Sequence, residues 1–437
     1  MANLITHSLS YSKESINEYF LKPVFIENEI RDIITVRTDI KTGEKLDFIG
    51  KLTKITKAYA QGTSFTSATG VTITQKEITT KGMKAEAYQN GKAFLNYVKQ
   101  AALKAGVNEN NISGTIFEKI VMDVFVNGLR SDFQRQVCLN NTLSETLSSG
   151  LPTGVANPDY SVYEGFWPRF IKDVVASTIP SGQRVIINNS AVAQVATHTL
   201  TGTSGTANIA INGVNYLATF TTDLTTSAAN FVTSHAAALL LRGIVATPSG
   251  ATVILTASIA GVAFTTTAAA NVSGNLAGSL AATTANTAPA ALGTDEAADV
   301  FSSMVKAATN ELISMDGCYI ACTRSMIENY KSTLRALNGS ESAVEMMLNG
   351  RRVLSFDGYP IIVRKDWDTH LAADFPGQYP HRAWMSVKEN LIFGTDGASD
   401  DNSVEVFYDQ VSQNNIFRAE YKAGTQYIHP ELLVLAY

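Results

Sequence analysis

Cysteine, long apolar runs and secretory features are all scarce in this 437-residue sequence. Its three cysteines, Cys138, Cys318 and Cys322, are too few and too odd in number for a disulfide framework, so we expect a reducing compartment. No segment approaches the ~18 continuous apolar residues of a membrane-spanning helix, and the first residues lack the basic and apolar regions of a signal peptide. We therefore expect a protein that is made in the cytoplasm and has no membrane segment.

A surplus of basic charge is also missing. The chain has 34 Lys and Arg residues against 39 Asp and Glu residues, which gives a formal net charge of −5. Proteins that hold nucleic acid by neutralising its phosphates carry a basic stripe, so this balance argues against that class. The apolar fraction of 45% is ordinary for a globular protein and excludes wholesale disorder. The length predicts two or three domains.

Sequence motifs for catalysis are absent as well. The chain contains no G-x-x-x-x-G-K-[ST] phosphate loop, no G-x-G-x-x-G, no H-E-x-x-H and no G-x-S-x-G. Cys318 and Cys322 lack the spacing of a zinc site, and both would lie on one face of a strand, so we expect buried thiols. The acidic residues within 396–402 lack the spacing of a calcium loop, which favours a solvated turn. We predict that the protein is not an enzyme and has no catalytic, cofactor or metal site.

One long segment contains almost no charge. Between Arg184 and Asp295 lie 110 positions, of which only Asp223 and Arg242 are charged. The chain-wide charged fraction of 17% predicts about 19 charged residues in a segment of this length. We interpret residues 194–293 as a domain inserted into a surface loop of an otherwise ordinary protein.

The pattern within this inserted segment predicts the order β-β-α-β-β. Alternating residues indicate strands, helical spacing indicates a helix, and Asn212-Gly213 is typical of a tight hairpin turn. The predicted elements are strands at 206–211 and 214–221, a helix at 225–242, and strands at 244–247 and 251–257. Residues 268–292, rich in Ala, Thr, Asn, Gly and Ser, are typical of an irregular return linker or a poorly specified strand.

The segment before the insert begins with aromatic residues and continues into a hairpin and two helices. We interpret residues 10–34 as an extended arm or short helix that needs a neighbour to cover its aromatic side chains. Alternation at 45–54 and 70–79 predicts a long two-stranded hairpin, which is only marginally stable without a partner surface. Helices are predicted at 90–105 and 115–147, the second with apolar residues recurring every four positions.

The segment after the insert mixes helices with strands, and the fold class of the whole chain is therefore α+β. The predicted elements are helices at 294–312 and 325–337, and strands at 318–323, 352–356, 359–364, 383–387, 403–409, 415–422 and 432–437.

Three phrases of this last segment carry a resemblance to a known family. They are Arg352-Val-Leu-Ser-Phe-Asp-Gly-Tyr-Pro-Ile-Ile-Val, then Ala383-Trp-Met-Ser-Val followed by Asn390-Leu-Ile-Phe-Gly, and Asn415-Ile-Phe-Arg-Ala-Glu-Tyr-Lys-Ala-Gly-Thr-Gln-Tyr-Ile-His-Pro. Together with the order of arm, hairpin, long helix and mixed α/β region, they resemble the major capsid protein of tailed double-stranded DNA bacteriophages, the Hong Kong 97-like fold. The resemblance covers both flanks, about three-quarters of the chain, and not the inserted segment.

The resemblance implies a division of the chain into five parts. They are an N-terminal arm at 1–32, an extended E-loop hairpin at 33–88, a peripheral domain with its spine helix at 89–193, the inserted domain at 194–293, and an axial domain with closing strands at 294–437. Contacts between subunits are implied for aromatic and lysine side chains of the arm and hairpin: Tyr11, Tyr19, Phe20, Phe48, Lys51, Lys54, Lys57, Tyr59 and Phe65. We do not predict covalent cross-links at these lysines.

The function that the resemblance implies is structural. Pentamers and hexamers of the chain would form an icosahedral shell around phage double-stranded DNA, held without sequence specificity. The implied partners are further copies of the chain, a portal, and separate scaffolding or decoration proteins, with no cofactor and no membrane. The implied location is the virion, after synthesis in the bacterial host cytoplasm.

Other classes of protein stay open from the sequence alone. A tail-tube or sheath subunit of a phage virion also uses β-rich modules, and a surface adhesin or carbohydrate-binding module is a further alternative. The insert itself is compatible with a decorating bump, with a brace to the next capsomer, or with glycan binding.

Overall fold

The computed structural model describes residues 32–38, 40, 43–49, 73–90, 116–187, 191–338, 345–348, 351–375, 377–395 and 404–437. The predicted arm, the tip of the hairpin, the helix at 90–105 and the acidic segment at 396–402 lie outside these residues, apart from single positions at their ends. The chain forms two compact units. The first unit runs up to Val137 and includes Glu389–Ile428, and the second unit contains Cys138–Lys388 and His429–Tyr437.

Helices and strands are both abundant in the described residues, which confirms the α+β class. The α-helices there are α1 (Ile116–Leu139), α2 (Phe166–Val175), α3 (Leu224–Leu241), α4 (Glu296–Ala307), α5 (Asn310–Ile313), α6 (Arg324–Asn338) and α7 (Lys365–Asp374).

The strands fall into three groups along the chain. The first group is β1 (Thr35–Arg37), β2 (Glu44–Ile49), β3 (Ile73–Ile78), β4 (Lys81–Gln89), β5 (Glu145–Ser148), β6 (Leu151–Ala156) and β7 (Arg184–Val185). The second group is β8 (Val195–Thr201), β9 (Gly205–Ile211), β10 (Val214–Thr219), β11 (Ile244–Ser249), β12 (Thr252–Ala257), β13 (Ala270–Gly274) and β14 (Ala277–Thr284). The third group is β15 (Tyr319–Thr323), β16 (Glu345–Leu348), β17 (Arg351–Phe356), β18 (Tyr359–Arg364), β19 (Ala383–Ser386), β20 (Leu391–Gly394), β21 (Val404–Asp409), β22 (Asn414–Tyr427) and β23 (Leu433–Ala436).

The first unit is a sheet covered by a helix. Its strands lie in the order β1-β20-β22-β21, and β4 also pairs with β22 along nine residues of each strand. Helix α1 packs on this sheet through the apolar stripe that the sequence predicts. The ring of Phe125 lies 6.0 Å from that of Phe417, and the ring of Phe133 lies 4.9 Å from that of Phe393.

The prediction of a helix at 115–147 is wrong at its C-terminal end. Helix α1 stops at Leu139, and residues 145–156 form the hairpin β5–β6 instead. The side-chain oxygen of Asn141 accepts a hydrogen bond from the backbone N–H of Leu143 at 3.0 Å. The backbone N–H of Gly165 donates to the carbonyl of Asn140 at 2.6 Å. The Asn141 side chain competes with helical hydrogen bonds in this way and turns the chain, while the Asn140 carbonyl, which no longer bonds within the helix, accepts from Gly165.

The second unit has a central sheet with helices on both faces. Its strand order is β16-β17-β18-β15-β19-β23-β7. On one face, α4 and α6 contribute Phe301 and Met326 to a core that includes Cys318 and Cys322, so the predicted burial of these two thiols is confirmed. On the other face, aromatic residues of α2 and α7 surround Trp384, and the ring of Trp367 lies 4.8 Å away.

Two turns of the second unit follow from local sequence. Asp357 and Gly358 both have positive φ, 50° and 85°, which is the geometry of the predicted hairpin between β17 and β18. The predicted helix at 294–312 divides into α4 and α5, because the Thr309 side chain accepts a hydrogen bond from the backbone N–H of Leu312 at 3.2 Å and caps a new helix.

Within the second unit, residues 191–287 form a module with a core of their own. Three strands in the order β10-β9-β13 and four in the order β11-β12-β8-β14 enclose apolar residues of α3, among them Phe231 and Leu239. Val192 and Thr287 are paired as an antiparallel bridge, with backbone hydrogen bonds of 3.0 and 3.2 Å, so the two ends of the module lie side by side.

The prediction of four strands in this module is wrong, since the structure has seven. Strand β8 was not predicted, and the segment at 268–292, expected to be a linker or weak strand, contains two strands, β13 and β14, which belong to different sheets of the module. Its Ala-, Thr- and Gly-rich sequence has little intrinsic β-propensity, and pairing with β8 and β9 fixes its conformation. The predicted hairpins at 206–221 and 244–257 and the helix α3 are confirmed.

The C-terminal region contributes strands to both units. Strands β20, β21 and β22 belong to the first unit, where they pair with one another and with β1 and β4, and β23 pairs with β19 and β7 in the second. Residues 294–437, which the sequence analysis treats as one domain, are therefore divided between the two units.

Removal of the module tests whether the rest of the chain folds without it. We expect a chain in which residues 193–286 are replaced by a short Gly-Ser linker to keep its remaining helices and strands, because the bridge between Val192 and Thr287 already holds the two ends together. Circular dichroism and thermal melting of the shortened chain measure this. An unfolded or insoluble product would show that the module is an integral part of the second unit's core.

Candidate inter-subunit surface

The candidate surface begins at the two-stranded ribbon formed by β2 and β3. The register runs from the pair Glu44–Ile78 at one end to the pair Ile49–Ile73 at the other, all antiparallel. The hairpin that alternation predicts is therefore confirmed over its described length. In the described part of the chain, no third strand pairs with either β2 or β3.

Burial changes along this ribbon. Leu46 and Ile78 are buried near one end, where they join Ile40 and Ile392 in a small apolar cluster. At the other end, the side chain of Ile73 is 61% exposed. We call the buried end the root of the ribbon, and the end at the pair Ile49–Ile73 its distal end. The root is part of the first unit's core, and the distal end is not covered by the described residues.

Two glycines let the backbones approach closely at the root. Gly394 and Gly424 are directly opposed on β20 and β22. A Cβ atom at Gly394 would lie 2.8 Å from side-chain carbons of Ile40 and Ile78, and one at Gly424 would lie 2.4 Å from the carbonyl oxygen of Thr79. Real Cβ atoms do not come this close to other atoms, so a larger residue at Gly424 would push the ribbon away from the sheet, and one at Gly394 would displace the side chains of Ile40 and Ile78.

Polar contacts add to this attachment. The Lys76 ammonium group donates a hydrogen bond to the carbonyl oxygen of Tyr427 at 3.1 Å and lies 3.7 Å from the centre of the same residue's ring. The side-chain amide of Gln426 donates to the carbonyl of Glu77 at 2.8 Å. Strand β3 is thus fixed to β22 by apolar packing, by a cation–π contact and by hydrogen bonds.

This arrangement suits a surface that is completed by another molecule. A ribbon of two strands exposes backbone donors and acceptors along both outer edges, which is a template for pairing with a further chain. Isolated two-stranded ribbons are marginally stable at best. Here the root supplies support at one end, and no strand of the described residues pairs with the outer edges of the distal part.

The predicted contact residues fall almost entirely outside the described residues. Only Phe48 lies within them, on β2 opposite Thr74. The others, which the structure does not describe, are Tyr11, Tyr19, Phe20, Lys51, Lys54, Lys57, Tyr59 and Phe65. Their role in subunit contacts stays a prediction. The residues of the root were not predicted, and the one signal for them in the sequence was a glycine inside each of two strands.

Titratable groups elsewhere make local structural contacts. The Tyr160 hydroxyl bonds to the carboxylate of Asp374 and lies 3.3 Å from Nδ1 of His370. His198, on β8 of the module, is fully buried, and its Nε2 lies 3.0 Å from the hydroxyl of Thr266. The described residues contain no group of three potential metal ligands, and none of their helices has the length and hydropathy needed to cross a membrane.

Comparison with known proteins finds similarity in structure and none in sequence families. No family model matches the chain, and no curated protein matches it. A solved chain of Gordonia phage Cozz is 11% identical with a TM-score of 0.42, and the match covers 99% of this chain and 91% of that one. The capsid of cyanophage P-SCSP1u is 10% identical with a TM-score of 0.41, covering 97% and 92%. The capsid of Ralstonia phage GP4 is 7% identical with a TM-score of 0.41, covering 100% and 97%.

All three structures are named for phages or phage capsids. The three phrases of the sequence resemble the same class of protein. Because similarity at this level does not by itself carry a functional argument, we base the proposed function on the ribbon, its root and the organisation of the two units.

The root can be tested with a matched pair of glycine substitutions. Gly424→Ala should lower the free energy of unfolding by about 1–3 kcal/mol, because the new Cβ overlaps the Thr79 carbonyl. Gly82→Ala is the control, since Gly82 pairs with Lys422 on the same strand and a Cβ atom added to it would meet no other atom within 4 Å. Urea unfolding of both variants measures the difference. Equal stabilities would contradict the close approach at the root.

The buried histidine of the module predicts a pH effect. Burial lowers the pKa of His198 from 6.5 to about 4, so the folded module holds this residue neutral while the unfolded chain protonates it near pH 6.5. Its contribution to stability is complete above pH 6.5 and declines as the pH falls toward 4, by at most about 1.4 kcal/mol per pH unit. His198→Gln should show a shallower loss of stability over this range in thermal melts. Identical pH dependence in the two proteins would refute the assignment.

Proposed function

We propose that the chain is the major capsid subunit of a tailed double-stranded DNA bacteriophage, with a Hong Kong 97-like fold, and that it assembles into an icosahedral shell. The observation that carries the proposal is the ribbon β2–β3, which is anchored at its root and, within the described part of the chain, uncovered at its distal end. In this proposal, pentamers and hexamers of the chain form the shell, and the protein is located in the virion and has no enzymatic role.

The order of elements supports this assignment. The ribbon precedes helix α1, and α1 packs on the long β22 and its neighbours in the first unit. We propose that α1 is the spine helix of a peripheral domain and that the ribbon belongs to the E-loop. The sheet of the second unit, from β15 to β19 with β23, corresponds in this proposal to the axial domain, and residues 191–287 correspond to the inserted domain.

Symmetry supplies the partner that the ribbon lacks. A head-to-tail contact, in which a ribbon lies on a different surface of the next copy, repeats around an axis and closes into a ring or shell when the rotation is right. Each ribbon is then covered by a neighbour, and each copy covers one ribbon in return. We propose that Phe48 and the undescribed tip at residues 50–72 provide much of this contact.

The charge balance favours a protein that encloses DNA over a protein that binds DNA tightly. Every phosphate contact adds a salt-sensitive attachment that must be broken when DNA leaves the particle. A subunit with a net charge of −5 avoids a strong attachment of this kind. The partners in this proposal are further copies of the chain, the enclosed DNA without sequence specificity, a portal, and separate scaffolding or decoration proteins.

Assembly can be tested with two substitutions of matched exposure. Ile73→Lys places a charge at the distal end of the ribbon, and Val155→Lys places one on the hairpin β5–β6, where the native side chains are 61% and 62% exposed. Both variants should fold, because neither native side chain is buried. We expect Ile73→Lys alone to reduce particle yield at least tenfold, as measured by negative-stain electron microscopy and sedimentation.

The form of the wild-type particles separates the competing classes. Closed shells support the capsid assignment, whereas tubes with a single repeat direction would indicate a tail subunit. A wild-type chain that stays monomeric under all assembly conditions would contradict both, and equal yields for the two variants would contradict the role of the ribbon.

A further inference from the structure

A cavity of about 480 Å³, open to solvent on one side, lies in the second unit beside the module. Its walls come from α2, from the end of α3 and the start of β11, and from the residues that follow α7. This volume is within the range of natural small-molecule sites. Most of the lining side chains are apolar, including Ile171, Leu240, Phe264 and Phe375. The cavity is unrelated to the ribbon, which belongs to the first unit.

Contacts between the hairpin β5–β6 and the module lie beside this cavity. A Cβ at Gly154 would lie 2.3 Å from the carbonyl oxygen of Asn212, and one at Gly213 would lie 2.4 Å from that of Thr153, so the hairpin β5–β6 touches the module backbone to backbone. Glu145 of the same hairpin forms an ion pair with Arg242, at the end of α3. These contacts fix the hairpin β5–β6 against the module beside the cavity.

One buried cation faces this apolar space. Arg382 lines the cavity and is only 5% exposed. Its Nε donates to the carbonyl of Tyr379 at 2.9 Å, and its Nη2 donates to the carbonyl of Gln378. No hydrogen bond joins its Nη1 to the described residues, and none of their carboxylates forms an ion pair with it. Burying a guanidinium group without a directly paired anion is costly, so an anion that reached Arg382 would stabilise it.

A second donor lies beside this cation. The indole ring of Trp167 also lines the cavity, with its centre 5.0 Å from the guanidinium carbon of Arg382. Its Nε1 is buried and has no hydrogen-bond partner in the described residues. Burial lowers the pKa of Arg382 to about 9, against smaller opposing effects of Tyr379 and Asp368, so the group is still charged at pH 7. Arg382 and Trp167 thus each keep a side-chain N–H without a partner among the described residues, and both residues line the cavity.

We propose that this cavity binds an alkyl carboxylate of medium chain length. The carboxylate accepts hydrogen bonds from Arg382 and from Trp167 Nε1, and the hydrocarbon chain lies against the apolar walls. Arginine and carboxylate are geometrically matched partners, and their hydrogen bonds are strengthened by charge. This inference does not depend on the proposed function, because it uses only contacts within the second unit.

Calorimetric titration with sodium dodecanoate, below its micelle-forming concentration, tests the proposal on the full chain. We expect one dodecanoate per chain, and at least tenfold weaker binding of dodecanol, which has the same chain and no charge. Arg382→Met should lower the dodecanoate affinity at least tenfold. Arg324→Met is the matched control, because Arg324 is an exposed arginine of the same unit whose side chain pairs with Glu328, and it should leave binding unchanged.

Arg382 also donates hydrogen bonds to the backbone of residues 378–379, so Arg382→Met could lose binding because it misfolds. A second variant therefore tests the cavity without changing Arg382. Ala263→Trp keeps the arginine and fills part of the cavity, because Ala263 is one of its lining residues. We expect this variant to lose binding of both dodecanoate and dodecanol while its circular dichroism stays unchanged. No saturable dodecanoate binding by the wild type, or wild-type affinity in folded Ala263→Trp or Arg382→Met, would overturn the proposal.

Discussion

The close approach of backbones at the opposed pair Gly394 and Gly424 is the constraint on which the ribbon depends. Because neither residue has a Cβ, the backbone at Thr79 lies directly against Gly424, the side chains of Ile40 and Ile78 pack onto Gly394, and the root is buried. A ribbon held in this way loses little further conformational entropy when it binds, so a larger share of the contact energy remains for association. The rigid root therefore lowers the entropic cost of binding, and the exposed distal end provides the binding surface.

The second unit uses the same device for a different purpose. Gly154 and Gly213 bring the hairpin β5–β6 and the module into backbone contact, and the ion pair between Glu145 and Arg242 lies beside them. The module has its own core and adjacent ends, as expected of a segment accommodated within another fold. These contacts give the module a defined position on the second unit, and the cavity lies where the two packed regions meet.

Local signals in the sequence predict much of this fold, and long-range pairing explains what they miss. The ribbon, helix α3, the Asp357-Gly358 turn and the buried pair Cys318 and Cys322 follow from alternation, helical spacing and turn chemistry. Strands β13 and β14 have no such signal, because their partners β8 and β9 lie far away in sequence. The root was missed for the same reason, since nothing near Gly424 in sequence indicates that Thr79 will touch it. The unpaired charge of Arg382 is likewise a property of the folded surroundings.

The central claim is that neighbouring copies of the chain complete the ribbon. Hydrogen–deuterium exchange of the β2 and β3 amides, compared between unassembled subunits and assembled particles, tests it most directly. The account predicts fast exchange at the outer edges of the distal ribbon in the subunit and strong protection of the same amides after assembly, with the root protected in both. Equal protection of the distal amides before and after assembly would contradict it.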